Sequence, residues 1–327
     1  MKPLLFSGGL LLIPFFLCAQ PGFNTAHDYD DLIINRFYDV VINGDTIIAY
    51  GLAQDSALPY RQGVFVARFD TFGNRLDHRL LVDTNNIYSI DKHWGKISVT
   101  SDNGYALTTS ALYGRDAVFI KLDDHLGIKF VQKYMDTISG GEHLMSPIEV
   151  ADGYLLYGYF NQADNGNLDA LLRKVDKQGN TIWKKTWGIS NWDDSFTQAY
   201  RFQDSLWLIN GSKTFYNGFN SFTRPWFCVF NDAGDLKWQW TADNTLPFNG
   251  LGLGRFFPQE DGSWICYAGE DLGVDPVYGW NRYQAHWVKL DSNFNFQWSK
   301  PFGPHVYNLD RFQDILRAPN GDLIGIG

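Results

Sequence analysis

The chain of 327 residues is 45% hydrophobic and 17% aromatic, which is ample for a large core, and its 32 glycines with only 19% charged residues suit a turn-rich all-β protein. Its formal charge of −9 sets an acidic surface against phosphate backbones and anionic lipid, and so argues against nucleic acid as a partner.

The first twenty residues stand apart. Lys2 gives a positive start, Leu4 to Leu17 is almost wholly apolar, and Cys18-Ala19-Gln20 supplies small residues, the layout of a secretory signal peptide. The apolar run is shorter than the ~20 residues of a spanning helix, and Pro14 interrupts it. Phe16 and Leu17 precede Cys18 where a lipobox would carry a small residue, so lipidation is not predicted and cleavage is placed at Ala19 or Gln20. The mature segment, 21–327, has no other stretch able to span a membrane and is predicted to be soluble and exported. His27–Asp31, HDYDD, reads as a solvated entry segment rather than a cation site.

From there a motif recurs: an apolar strand, then Asp-x-x-Gly or a relative, then a strand with Trp or Phe. The copies are Val66–Leu76, Phe119–Phe130, Leu172–Trp183, Phe227–Trp238 and Trp287–Trp298. The markers Asp70, Asp123, Asp176, Asn231 and Asp291 are spaced by 53, 53, 55 and 60 residues. A second marker, polar turn residues between two apolar strands, lies in Val41–Gly51, Thr100–Ser110, Val150–Gly158, Phe202–Gly211, Gln259–Gly269 and Ala318–Gly327. Asn-Gly and Asp-Gly there favour tight hairpins because Gly accepts positive φ. Two hairpins per repeat make four antiparallel strands, one propeller blade. The predicted fold is an all-β β-propeller, with blades at 36–83, 94–136, 145–188, 195–241 and 252–302 and a sixth beginning near Arg311. The sixth stops after its second strand, so about five and a half blades are expected, and a domain incomplete at its C-terminus, because a propeller whose last blade does not meet its first leaves sheet edges open.

The segments Lys174–Gly188 and Lys289–Gly303 carry the pattern KLDSNGNxxW, with Phe294 in place of the usual Gly in the second. This resembles the repeats of secreted bacterial β-propeller proteins that are common type IX secretion cargo and often carry a C-terminal sorting domain. The resemblance implies a propeller and an extracellular or cell-surface location. It implies no activity, because the matched residues are structural.

The Asp of each turn is predicted to cap its own turn rather than hold a metal, and Trp183, Trp238 and Trp298 to pack between blades. Cys228 and Cys266 read as small buried residues in different repeats, with a disulfide as the alternative. The turns lack the spacing of a sialidase-type Asp-box, and the adjacent cysteines and calcium ligands of quinoprotein propellers are not evident. Asp164–Asp169, DNGNLD, reads as a polar loop rather than a calcium site. Gly141–His143 is not a HExxH zinc motif, and no His has a Ser or Cys at diagnostic spacing. No cofactor and no metal are predicted.

Function is expected on the face shared by the second-to-third-strand and blade-to-blade loops. The predicted loop 212–225 carries Phe215, Tyr216, Phe219 and Phe222; the loop 270–284 carries Tyr278, Trp280, Arg282 and Tyr283; blade-to-blade loops add Trp192, Asp193, Asp194 and Phe248. Rings on loops stack on sugar faces or grip peptide, or else cover the loops' own small core. The predicted binding residues are Tyr216, Phe219, Trp280, Arg282, Tyr283, Trp192 and Asp194 on a monomeric module taking a glycan or protein. The alternative is a polysaccharide hydrolase or lyase with two carboxylates ~5–10 Å apart, drawn from Glu149, Asp193 or Asp194.

Overall fold

The computed structural model describes residues 32–56, 62–82, 96–111, 116–134, 140–162, 166–189, 192–203, 205–217, 220–241, 250–274, 281–302, 314–317 and 321–326. The predicted leader, the HDYDD segment and residues Phe219, Phe248, Tyr278 and Trp280 lie outside them.

Strands alone make up the regular structure of the described residues. Blade one is β1 (Leu32–Asn43), β2 (Thr46–Asp55), β3 (Gln62–Asp70) and β4 (Arg75–Leu81). Blade two is β5 (Ile97–Val99), β6 (Tyr105–Ser110), β7 (Ala117–Leu122) and β8 (Ile128–Tyr134). Blade three is β9 (Glu142–Val150), β10 (Gly153–Asn161), β11 (Leu168–Asp176) and β12 (Thr181–Trp187). Blade four is β13 (Trp192–Gln203), β14 (Leu206–Asn217), β15 (Asn220–Asn231) and β16 (Leu236–Thr241). Blade five is β17 (Gly250–Pro258), β18 (Trp264–Val274), β19 (Asn281–Leu290) and β20 (Phe296–Phe302). A two-stranded sheet, β21 (Asp314–Arg317) with β22 (Leu323–Ile326), follows.

Each four-stranded sheet is an antiparallel meander, and together the five form a β-propeller. First strands touch in succession, β1 with β5, β5 with β9 and β9 with β13, so they line the axis. Fourth strands lie outermost and are the most exposed. β6 and β7 are buried along their whole length, because each middle strand is covered by blades on both faces. The antiparallel order puts the one–two and three–four turns at one end of the barrel, the turn end. The two–three connections and blade-to-blade segments share the other, the loop end.

The repeated Asp caps its turn as expected. Asp176 Oδ1 accepts the N–H groups of Gln178 and Asn180 at 2.9 and 2.8 Å, and Oδ2 accepts Asn180 Nδ2 at 2.9 Å. Asp70 with Asn74 and Asp291 with Asn295 repeat the pattern. Blade four swaps the partners: Asn231 Oδ1 accepts the Asp235 N–H at 2.7 Å and Asn231 Nδ2 donates to Asp235 Oδ2 at 3.1 Å. The residue before that partner takes positive φ every time, at Gly73, Leu126, Gly179, Gly234 and Phe294. Gly153 is different. Its φ is not positive, and a Cβ there would sit 1.8 Å from the Val175 carbonyl oxygen, so that Gly answers to close strand packing rather than to turn conformation.

The positive-φ residue is also where blades lock. Phe130 of blade two lies against Gly179 of blade three, where a Cβ would come within 2.8 Å of the ring, and Tyr134 donates from its hydroxyl to the Gly179 carbonyl at 2.9 Å. Trp183 lies against Gly234 in the same way, and Lys185 Nζ reaches the Gly234 carbonyl at 3.1 Å. Trp238 stacks on Phe294 with centroids 5.2 Å apart. Arg79 of blade one donates to the Leu126 carbonyl of blade two at 2.9 Å. The predicted role of Trp183 and Trp238 between blades therefore holds, and Trp298, 41% exposed against 38% for Trp238, lines a cavity between blade five and the β21–β22 turn. Cys228 and Cys266 are unoxidised and buried in two separate clusters, so the disulfide alternative falls.

Gly234→Val forces a β-branched residue into positive φ beneath the Trp183 ring and should destabilise the protein by about 2–4 kcal/mol in urea unfolding. In the Trp183→Ala background the same change should cost clearly less, because the ring it strikes is gone; equal costs in both backgrounds would remove the lock from the account.

Candidate binding surface at the loop end

The strand register assembles the site. Trp192, Asp194 and Phe196 alternate along β13 and face Phe215, Lys213 and Gly211 of β14. β14 in turn pairs Lys213 with Arg224 and Gly211 with Trp226. By alternation these residues share the face of blade four that packs on blade three, where Phe196 and Trp226 join Met145, Leu155 and Leu172. Phe196 stacks on Trp226 at 5.0 Å, and Trp192 lies against Phe215 at 5.0 Å with 31° between the rings. The Arg224 guanidinium sits 5.0 Å from the Phe215 centroid, and Lys213 Nζ lies 4.0 Å from that of Trp226. Each cation is thus held over a ring.

Asp194 lies at the bottom of this ladder and is fully buried. Its Oδ2 accepts the Ile189 N–H at 3.2 Å, while Oδ1 has no hydrogen-bond partner. Burial pushes its carboxyl up to about 6; Lys213 and the Ile189 N–H pull the other way, and the charges of Asp169 and Asp193 add to the rise. Asp193 accepts the Leu168 N–H from blade three at 3.0 Å, and Asp169 accepts Gln162 Nε2 at 2.6 Å.

Of the predicted residues, Trp192 and Asp194 come together on one strand face. Arg282 and Tyr283 open β19 at the same end of blade five, where Arg282 Nη2 donates to the Leu272 carbonyl at 3.2 Å and Tyr283 pairs with Asp271. Tyr216 is a backbone partner of Ser221 in the blade-four hairpin, and its side chain lies outside the described residues, as do Phe219 and Trp280. The segments predicted as loops are largely strand. β14 and β15 pair out to Asn217 and Asn220, extending the blade by a hairpin, and Trp192–Asp194 belong to β13. Lys213 and Arg224 went unpredicted; their signal was the alternation of Lys213 with Phe215 in a segment taken for a loop.

The carboxylates of the hydrolase alternative are not neighbours throughout. β9 and β13 both run from loop end to turn end, with Asp194 near the start of one and Glu149 near the end of the other. Five residues of offset at ~3.3 Å each separate them by about 16 Å, beyond the ~5–10 Å such chemistry uses. Glu149 instead lines a turn-end cleft of about 1000 Å³, with Lys177, Arg201 and Trp207. Burial pushes its carboxyl up, but hydrogen bonds from Lys177 and Ser101 outweigh this and hold it below the ordinary range. Glu142 is buried and held by Arg173 and Lys184 at 2.6 Å each, a strut within blade three. Among the described residues no group of three or more His, Cys, Asp or Glu side chains is placed to hold a metal ion.

No protein-family model matches the chain, and no curated protein is significantly similar to it. Solved structures share the fold. An α-L-arabinanase of Penicillium chrysogenum, complexed with arabinobiose, aligns over 81% of this chain and 80% of its own at 9% identity, with a TM-score of 0.51. A protein of unknown function from Bacteroides caccae aligns over 82% of both chains at 9% identity with a TM-score of 0.49. An exo-β-1,3-galactanase from Phanerochaete chrysosporium aligns over 81% of this chain and 62% of its own at 13% identity, with a TM-score of 0.42. At these identities the likeness is one of fold alone.

Asp194 makes stability depend on pH. Its folded value, about 6, lies above the ordinary 3.8, so its favourable contribution is complete below about pH 4 and is lost as pH rises through 6. Asp194→Asn should abolish that decline and, at ~1.4 kcal/mol per pKa unit, stabilise the fold at pH 7 by up to about 3 kcal/mol in urea titrations run at pH 4 and pH 7. An unchanged pH profile would show that the carboxyl is solvated.

Proposed function

We propose that this chain is an exported, monomeric β-propeller binding module that takes a glycan or a protein segment on the loop end of blades four and five. The observation that carries the reading is the cluster of Trp192, Phe215, Arg224 and Lys213 around a buried carboxyl, built on three paired strands rather than on a loose loop. Flat rings offer apolar contact at little entropic cost, and the two cations and the carboxyl supply directional hydrogen bonds. Export rests on the leader-like segment 1–20, and a place among type IX secretion cargo rests on the repeat resemblance. The formal charge of −9 argues against nucleic acid, and among the described residues no helix is long and apolar enough to cross a membrane.

One observation favours a second reading, a polysaccharide hydrolase. A carboxyl raised to about 6 suits a general acid, and Asp193 or Asp169 would then be its partner. Turnover on a polysaccharide panel that Asp194→Asn abolishes would establish it.

For the binding module, Trp192→Ala and Arg224→Ala should each weaken retention on a glycan or protein array at least tenfold with the unfolding midpoint preserved. Tyr216→Ala and Trp280→Ala extend the test to the residues chosen from sequence. Undiminished retention in all four would take this end of the propeller out of consideration.

A further inference from the structure

Blades three and four are locked at the rim, where Trp183 covers Gly234, but nearer the axis they part into the turn-end cleft of about 1000 Å³. Strand alternation sets its walls: blade three supplies Ile148, Val150 and Leu155, and blade four supplies Ala199, Arg201 and Trp207. Ala199 is too short to fill the gap. Arg201 folds back over its own blade, with its guanidinium 4.6 Å from the Trp207 centroid and Nη1 3.0 Å from Asp232. The cleft is lined by three cations and three carboxylates, and they cancel in pairs. Lys174 Nζ bonds Asp152 at 2.8 Å, Lys177 Nζ bonds Glu149 at 2.7 Å, and Arg201 takes Asp232. Trp207 adds its indole N–H to Asp232 at 2.7 Å. Three ion pairs around an apolar floor restrict what the cleft can take. An anion would need a cation not already matched, and a cation an unmatched carboxylate, so either would have to break a pair. An apolar ligand would strip water from the pairs and return no hydrogen bond. A neutral polyol meets both demands, because each hydroxyl donates to a carboxylate and accepts from an ammonium or guanidinium. The C–H face of a sugar ring then lies on apolar carbon. Lys174 is well placed for this: its side chain is 15% exposed, and Asp152 takes one of the three N–H groups of an ammonium.

We propose that this cleft is a binding site, separate from the loop end, for a short neutral oligosaccharide. Lys174 with Asp152 and Arg201 with Asp232 grip hydroxyls from opposite walls, and ring faces lie on Ile148, Leu155 and Ala199. The volume, at the upper end of the ~300–1000 Å³ usual for small-molecule pockets, holds about two or three sugar units. The site does not rest on the loop-end reading and stands where that reading fails.

Maltotriose, cellotriose, xylotriose and mannotriose, all neutral, are the probes, with the galacturonic acid and glucosamine trimers as charged controls. In saturation-transfer NMR and calorimetric titration of the full chain, at least one neutral trisaccharide should bind saturably, roughly tenfold or more tighter than either charged control. Ala151→Trp, at an exposed position of the blade-three turn, puts a ring into the mouth of the cleft, and Lys174→Met removes a donor from its wall. Each should weaken binding roughly tenfold or more, with circular dichroism confirming that the variant remains folded. Absence of binding by every neutral trisaccharide, binding indifferent to both substitutions, or tighter binding of a charged control would each overturn the proposal. Loss of the sugar in Trp192→Ala would overturn it too, by assigning the sugar to the loop end.

Discussion

The architecture depends on one contact, repeated at every junction: the positive-φ residue of a three–four turn held against the fourth strand of the preceding blade. A propeller blade shares no backbone hydrogen bonds with its neighbours, so side chains alone must fix their spacing and angle. Between blades two and three and between blades three and four the fixing is done twice at one point; Arg79 supplies the donor between blades one and two, and Trp238 the ring between blades four and five. A ring, Phe130, Trp183 or Trp238, covers the turn residue, and a donor, Arg79, Tyr134 or Lys185, takes a backbone carbonyl of the same turn. Both elements sit on the outermost strand, farthest from the axis, where a small angular error would open the widest gap.

This arrangement explains which residues the locked position accepts. At Gly179 and Gly234 the fit is explained by a ring that lies where a Cβ would go. Blades two and five place Leu126 and Phe294 there instead, at φ of 61° and 63°, a conformation that costs a side chain roughly 1–2 kcal/mol. Phe294 offsets that cost by stacking: Phe227, Trp238 and Trp264 all lie within 5.5 Å of its centroid. In blade five the side chain has thus become the packing element that the empty space above a Gly provides elsewhere. The replacement of Gly by Phe294 therefore preserves the junction by another means.

What could be read from sequence follows the range of the interactions. Turns, caps and strand alternation are set within about ten residues, so the Asp caps, the blade boundaries and the packing of Trp183 and Trp238 were legible. The pairing of Asp194 with Lys213 was not. It depends on the bulge between Phe196 and Gln198, which shifts register by one residue and decides which side chain Asp194 meets. The stretch 212–225 misled for a related reason. Its Ser, Thr and Asn content resembles a loop, but Phe215, Phe222 and Asn217-Gly218 also spell a strand and its hairpin, and an unusually long blade hides that in an average strand length.

The two ends of the propeller differ in how completely their polar groups are satisfied, and that difference supports the proposed recognition surface. At the turn end the carboxylates of Asp70, Asp176 and Asp291 are bonded on both oxygens within their own turns, and Glu149 is held by Lys177 and Ser101. In blades four and five, by contrast, Asp194 Oδ1, both amide atoms of Asn210, Gln284 Nε2 and Arg282 Nε are buried without hydrogen-bond partners among the described residues; Arg173 Nε is a comparable case in blade three. Each such group costs about 1–3 kcal/mol. A fold that needed only to hold itself together would have no reason to gather these costs in two adjacent blades, the same two whose loop-end strands carry Trp192, Arg224 and Tyr283. Polar atoms kept ready there, against a scaffold locked rigid at its far end, are what a recognition surface requires.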